Sequence, residues 1–155
     1  GMPGSGKTTV GRIVAERLGM DFLDMDADIE AHFGDIHALF AKSEEHFRDI
    51  ESQTVVFAAN RTNTVVCTGG GVVKRGGNMR HLAGTGAIFF LDRPVEQIYG
   101  DVDADSRPLL KQDKSAVFKL YEERIGLYQK FSHCRIANET DAETAAAQII
   151  EKWRV

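Results

Sequence analysis

The chain has 155 residues, 43% hydrophobic and 27% charged, with a formal net charge of −4. That length suits one domain with a sizeable core, and the acidic balance argues against broad binding to nucleic acid or anionic membrane, so a phosphate site must be a local basic pocket. No apolar run approaches membrane-spanning length and no signal peptide is visible. The two cysteines, Cys67 and Cys134, fit no metal spacing and read as buried thiols in strands. A reducing cytoplasm is the expected setting.

The chain opens on Gly1-Met2-Pro3-Gly4-Ser5-Gly6-Lys7-Thr8-Thr9, a G-x-x-x-x-G-K-T phosphate-binding loop. Glycines let the backbone curl until several N–H groups face one anion, and the helix predicted over 8–18 adds its N-terminal partial charge. Lys7 supplies a full charge to a terminal phosphate, and the Thr8 hydroxyl is a Mg²⁺ ligand. Such a loop should follow a buried strand, so about five further residues, the usual strand length, are expected upstream of Gly1.

Gly19 stops the first helix, and residues 20–23 read as a short strand running into Asp24-Met25-Asp26. Residues 27–33 look helical up to Gly34, 36–40 form a helical turn, and Ser43 caps a helix reaching residue 60. Residues 64–68 are an apolar, β-branched strand ending in Gly69-Gly70-Gly71. A loop at 75–78 leads to a short helix at 79–83, and 87–91 is another buried strand. Pro94 opens a helix to residue 99. The polar stretch 100–114 reads as a mobile loop, and helical spacing returns over 115–131. A strand at 133–137 and an amphipathic helix at 141–153 close the chain. Strands alternating with helices imply α/β architecture, with a parallel sheet covered on both faces and its ligands beyond the carboxyl ends of the strands.

Three points of chemistry should converge there: the glycine-rich loop, the Asp24/Asp26 pair and the glycine triplet. One carboxylate of the pair can hold Mg²⁺, directly or through water, while the other takes a proton from an acceptor hydroxyl; the alternative is a helix cap beside a solvated acid. The triplet permits close approach to backbone, or is a plain turn. Arg48 and Arg124 suit bidentate capture of a carboxylate, or surface ion pairing. Glu51, three residues after Arg48, either orients it or merely pairs with it. Arg107, in Arg107-Pro108-Leu109-Leu110, can swing over phosphates as a loop closes, or belong to an exposed linker. Asn138-Glu139-Thr140-Asp141 is better read as a helix cap than as a guanine-reading motif.

In order and spacing the set resembles the shikimate kinases across essentially the whole chain: the opening loop, Asp24-x-Asp26, Phe47-Arg48-x-Ile50-Glu51, Gly69-Gly70-Gly71, Arg107-Pro108-Leu109-Leu110, and Arg124 followed by Leu127-Tyr128. The resemblance implies a three-layer P-loop kinase fold with a five-stranded parallel sheet, order 2-3-1-4-5, whose first strand is missing upstream of Gly1. It implies one kinase domain over residues 1–155, a shikimate-binding helical segment over 27–60 and a lid over 101–114. It implies transfer of the ATP γ-phosphoryl to the 3-hydroxyl of shikimate, in aromatic amino-acid biosynthesis, by a monomer that uses Mg²⁺.

Carried over by motif, Gly4, Ser5, Gly6, Lys7, Thr8, Thr9 and Arg107 bind ATP, and Thr8 and Asp24 serve the metal. Asp26, Arg48, Gly69, Gly70, Gly71 and Arg124 bind shikimate, and Asp26, Lys7 and Arg107 act in catalysis. Ile36, Phe40, Phe47, Pro108 and Leu109 form apolar walls. One departure is Gly100, where the family commonly has an arginine against adenine; Tyr99 or the loop at 138–141 are the candidate substitutes. The alternatives are another small-metabolite kinase of this fold, such as gluconate kinase, or a non-catalytic ATP-binding regulatory module.

Overall fold

The computed structural model describes residues 1–101 and 113–154. Arg107, Pro108, Leu109 and most of the expected lid lie outside the described residues. The elements run α1 (Lys7–Leu18), β1 (Asp21–Asp24), α2 (Met25–Phe33), α3 (Ile36–Lys42), α4 (Glu44–Ala59), β2 (Thr64–Cys67), a 3-10 turn (Val72–Lys74), α5 (Gly76–Ala83), β3 (Phe89–Asp92), α6 (Val95–Asp101), α7 (Ala116–Phe131), β4 (Cys134–Ala137) and α8 (Ala142–Trp153).

All described strand pairing is parallel. β1 lies on β2 with Asp21 opposite Thr64, and β3 lies on β4 with Phe89 opposite Cys134. These two pairs are the 2-3 and 4-5 neighbours of the expected order. Among the described residues no strand joins them; the opening Gly1-Met2 segment lies against the Leu91 carbonyl of β3.

Strand alternation sorts the core into layers. Phe90 joins a cluster with Val55, Met79, Ile98, Val117 and Tyr128, whereas its neighbour Leu91 joins Val10, Val14, Ile136, Ala145 and Ala146. Val66 and Val65 divide between the same two clusters. Helices α4 to α7 therefore cover one face and α1 with α8 the other. Side chains such as Ile98 and Val117, both 0% exposed, each contribute about 1.5–3 kcal/mol of burial free energy. A third cluster, Ile29, Leu39, Phe47 and Ile50 with Ile36 and Phe40 against it, binds α2, α3 and α4 into one unit.

Capping follows sequence chemistry. Ser43 Oγ accepts from the His46 amide at 3.0 Å and Asp141 from Thr144 at 2.7 Å. Gly19, at φ 62°, ends α1 with its amide turned back to Ala15 and Glu16.

Boundaries differ from expectation at several points, these among them. Helix α2 starts at Met25, because Asp24 caps it by accepting from the Asp26 and Ala27 amides. Residues 76–78 are helical rather than loop, with Arg75 extended before them: Asn78 and Met79 are buried and the Arg75 side chain is tied to α4, which overrides the weak helix propensity of Gly76-Gly77. Strand β3 starts two residues late, the Ile88 carbonyl being taken by the His133 and Cys134 amides. Helix α6 runs through Gly100 to Asp101.

Candidate active site

The opening loop forms a cleft of about 230 Å³ lined by Pro3, Gly4, Gly6, Lys7, Thr8, Thr9, Asp24, Asp26, Cys67, Thr68 and Gly70. Gly4 and Gly6 have φ of 78° and 89°, which only glycine adopts without strain, so the curled backbone is set by residue type. Ser5 is 0% exposed beneath the loop. The Lys7 ammonium donates to the carbonyls of Met2 at 2.7 Å and Gly1 at 3.0 Å. Two side chains outside the motif brace the loop from behind: Asn138 Nδ2 donates to the Ser5 carbonyl at 2.8 Å, and Arg93 Nη1 to the Gly4 carbonyl at 3.1 Å. Arg93 also pairs with Asp101.

Thr8 Oγ1 donates to Asp24 Oδ2 at 2.7 Å, while Asp24 Oδ1 caps α2. The cap and the metal-side reading of Asp24 therefore coexist, one oxygen for each. Two hard oxygen donors facing a phosphate cleft fit Mg²⁺, which takes one or two protein oxygens together with substrate phosphates. Among the described residues no cluster of three acidic, His or Cys side chains could hold a metal unaided.

Cys67 lies at the edge of the cleft, its thiol donating to the Lys7 carbonyl at 3.1 Å and packed against Gly11. Burial, reinforced by the Asp24 charge, pushes that thiol up to about 12, so it is a packing group.

Beside this cleft the glycine triplet packs closely on its neighbours. A Cβ on Gly69 would stand 2.9 Å from Asp26 Oδ1 and 3.2 Å from Glu51 Oε1, one on Gly70 would stand 2.7 Å from Pro3, and one on Gly71 would strike the Arg48 guanidinium. The triplet is thus a close approach of backbone to functional groups. Arg48 is 5% exposed and Glu51 1%. They are joined by a 2.7 Å hydrogen bond, and Glu44 holds the other edge of the guanidinium at 3.3 Å. Phe40 and Phe47 stack at 4.4 Å with the Arg48 guanidinium over both rings. Of the expected apolar wall, Phe47 is in the core and Ile36 and Phe40 pack against it.

Burial pushes the Glu51 carboxyl up, opposed by Arg48. Glu44, which also accepts from Lys74, is held low, chiefly by that hydrogen bond. Arg124 on α7 is 3% exposed, and among the described residues no carboxylate lies within ion-pair distance of it. Its charge and that of Arg48 both act on Glu51 and Tyr128. Tyr99, a candidate for adenine contact, packs on Phe118 with Lys114 over its ring.

The family sequence model described as shikimate kinase matches residues 3–154. The chain belongs to the shikimate kinase family. A Clostridium botulinum shikimate kinase is 43% identical over 150 residues, 96% of this chain and 91% of that protein. The Clostridium beijerinckii enzyme is 42% identical over 152 residues, 97% and 90% of the two chains. Among solved structures, the Acinetobacter baumannii shikimate kinase in complex with shikimate superposes with a TM-score of 0.92 at 34% identity, over 99% of this chain and 89% of that one. The Aquifex aeolicus shikimate kinase gives 0.85 at 28% identity, over 99% and 92%. The family's P-loop kinase fold is accordingly the fold of this chain.

Sequence gives no site role to Glu44, Lys74 or Arg93, and it marks Asn138 only within the 138–141 loop, not as a brace of the opening loop. Lone charged and amide residues on helix faces or in loops give no signal of their own. Only the fold puts Arg93 and Asn138 behind the opening loop.

Proposed function

We propose that this chain transfers the ATP γ-phosphoryl group to the 3-hydroxyl of shikimate, giving shikimate 3-phosphate and ADP. Membership of the family supports the reaction. The observation that carries the acceptor is Arg124: a guanidinium that deep without a described carboxylate partner is matched by an anionic ligand, because buried charge is costly unless paired. Arg48, locked by Glu44 and Glu51, forms the other jaw. The shikimate carboxylate lies between them, and the triplet offers backbone at its floor.

Asp26 stands at the junction of the phosphate cleft and Gly69. In our reading it binds the acceptor hydroxyls and takes the proton as the hydroxyl oxygen attacks phosphorus in line. Lys7 leaves the Gly1 and Met2 carbonyls for the β/γ-phosphates, and the loop amides hold the remaining oxygens. Mg²⁺, held through Thr8 and Asp24 with substrate phosphates, supplies charge neutralisation when bound. Arg107 is proposed as the lid arginine and residues 101–114 as the lid, acting within a single kinase domain.

A coupled ADP-release assay with shikimate, gluconate and no acceptor tests the assignment. Release above background with shikimate alone is expected. Gluconate as the better acceptor would move the chain to another activity. Retained ATP binding with no release would make it a regulatory module.

A further inference from the structure

Tyr128 on α7 is 3% exposed and stacks on Phe90 of β3 with ring centroids 5.1 Å apart. A phenylalanine would fill the same space, so packing alone does not account for the hydroxyl. That hydroxyl donates to the Gly70 carbonyl at 2.6 Å, with the Met2 sulfur 3.8 Å away. A glycine triplet has no side chains with which to hold itself. The Gly69 and Gly71 carbonyls are taken downstream by the Val72 and Lys74 amides; the Gly70 carbonyl, between them, is taken by Tyr128.

We propose that Tyr128 is a positioning residue for the acceptor: its hydroxyl fixes the glycine turn against Asp26, Glu51 and Arg48 and so sets the shape of the shikimate pocket. This rests on the reading of shikimate as acceptor. Gly70 also meets Pro3, and the hydroxyl meets the Met2 sulfur, but the side-chain hydrogen bonds that hold residues 4–8 of the donor cradle come from other residues. Asn138 holds Ser5, Arg93 holds Gly4, and Asp24 holds Thr8. Loss of the hydroxyl therefore acts chiefly on the acceptor and little on ATP. A structural role would weaken both together.

The test is Tyr128→Phe, measured by steady-state kinetics, calorimetric ATP binding without shikimate, and thermal unfolding. Losing one buried hydrogen bond raises the shikimate KM by about tenfold, with the ATP dissociation constant within about twofold of wild type. Phe90→Leu is the control for ring packing. It lowers the melting temperature and leaves the ratio of shikimate KM to ATP dissociation constant unchanged. An unchanged shikimate KM in Tyr128→Phe overturns the proposal. So does equal loss of both ligands, a loss of cooperative unfolding, or the same ratio shift in Phe90→Leu. Absence of shikimate turnover in the wild-type chain is the separate failure of the acceptor reading, and it removes this proposal with it.

Discussion

The proposed donor and acceptor halves of the site are built in opposite ways. The donor cradle is one continuous stretch of chain at the head of α1, shaped by two left-handed glycines. The acceptor clamp is gathered from α2, α4, the triplet after β2 and α7, and its arginines are 5% and 3% exposed. A contiguous loop obtains its geometry from local backbone preference. A clamp built from four elements obtains it from packing, and one of its charges, Arg48, is oriented by the buried Glu51 carboxylate. Mutations should therefore separate the halves cleanly.

The largest effect belongs to the donor half. Lys7→Met should lower kcat/KM by about 10³-fold or more, since it deletes the charge aimed at the phosphates. Coupled ADP release measures this, and turnover near wild type would remove Lys7 from the chemistry. Arg107→Ala comes next, with an expected loss of about 10²–10³ in kcat and little change in shikimate affinity. A wild-type kcat there would end the lid-arginine assignment.

Arg124→Ala attacks the other half. It should raise the shikimate KM by about 10–100-fold, the worth of hydrogen bonds to a charged group, while ATP binding without acceptor stays as it was. An unchanged KM would show that the carboxylate is held elsewhere. Gly71→Ala is subtler: its Cβ would strike the Arg48 guanidinium, which Glu51 and Glu44 keep in place. About a tenfold rise in shikimate KM is expected from that overpacking. Equal weakening of ATP would mean that the halves are not separable at the triplet.

The smallest effect is at Cys67. Native protein treated with iodoacetamide at mildly alkaline pH should be labelled at half-buried Cys134 and spared at Cys67. The thiol's folded value is raised from an ordinary 9.0 to about 12, so the unfolded chain ionises first. Its contribution to stability is complete below about pH 9 and declines as pH rises toward 12. Cys67→Ala should flatten that alkaline limb of the melting-temperature profile.

Much of this was legible from residue order. The opening loop, the alternation of β-branched runs with helical spacing, the Ser43 and Asp141 caps and the triplet are local signals, and local physics produces them. Residues 76–78 read as loop from sequence because Gly76-Gly77 carries no helical preference of its own; burial of Asn78 and Met79 and the Arg75 pairs to α4 supply what the pair lacks.

Sequence by itself determined the α/β alternation, the phosphate loop and the ordered set of acidic, glycine and arginine residues, because each is written within a few positions of chain. Tertiary structure alone decided how these groups act on one another. It divided the two Asp24 oxygens between a cap and Thr8, and it decided that Arg48 is buried and held by Glu51 rather than paired at the surface. It also set the Tyr128 hydroxyl on the Gly70 carbonyl across 58 residues of chain. Such contacts depend on which faces of distant elements meet, and no spacing along the chain encodes that.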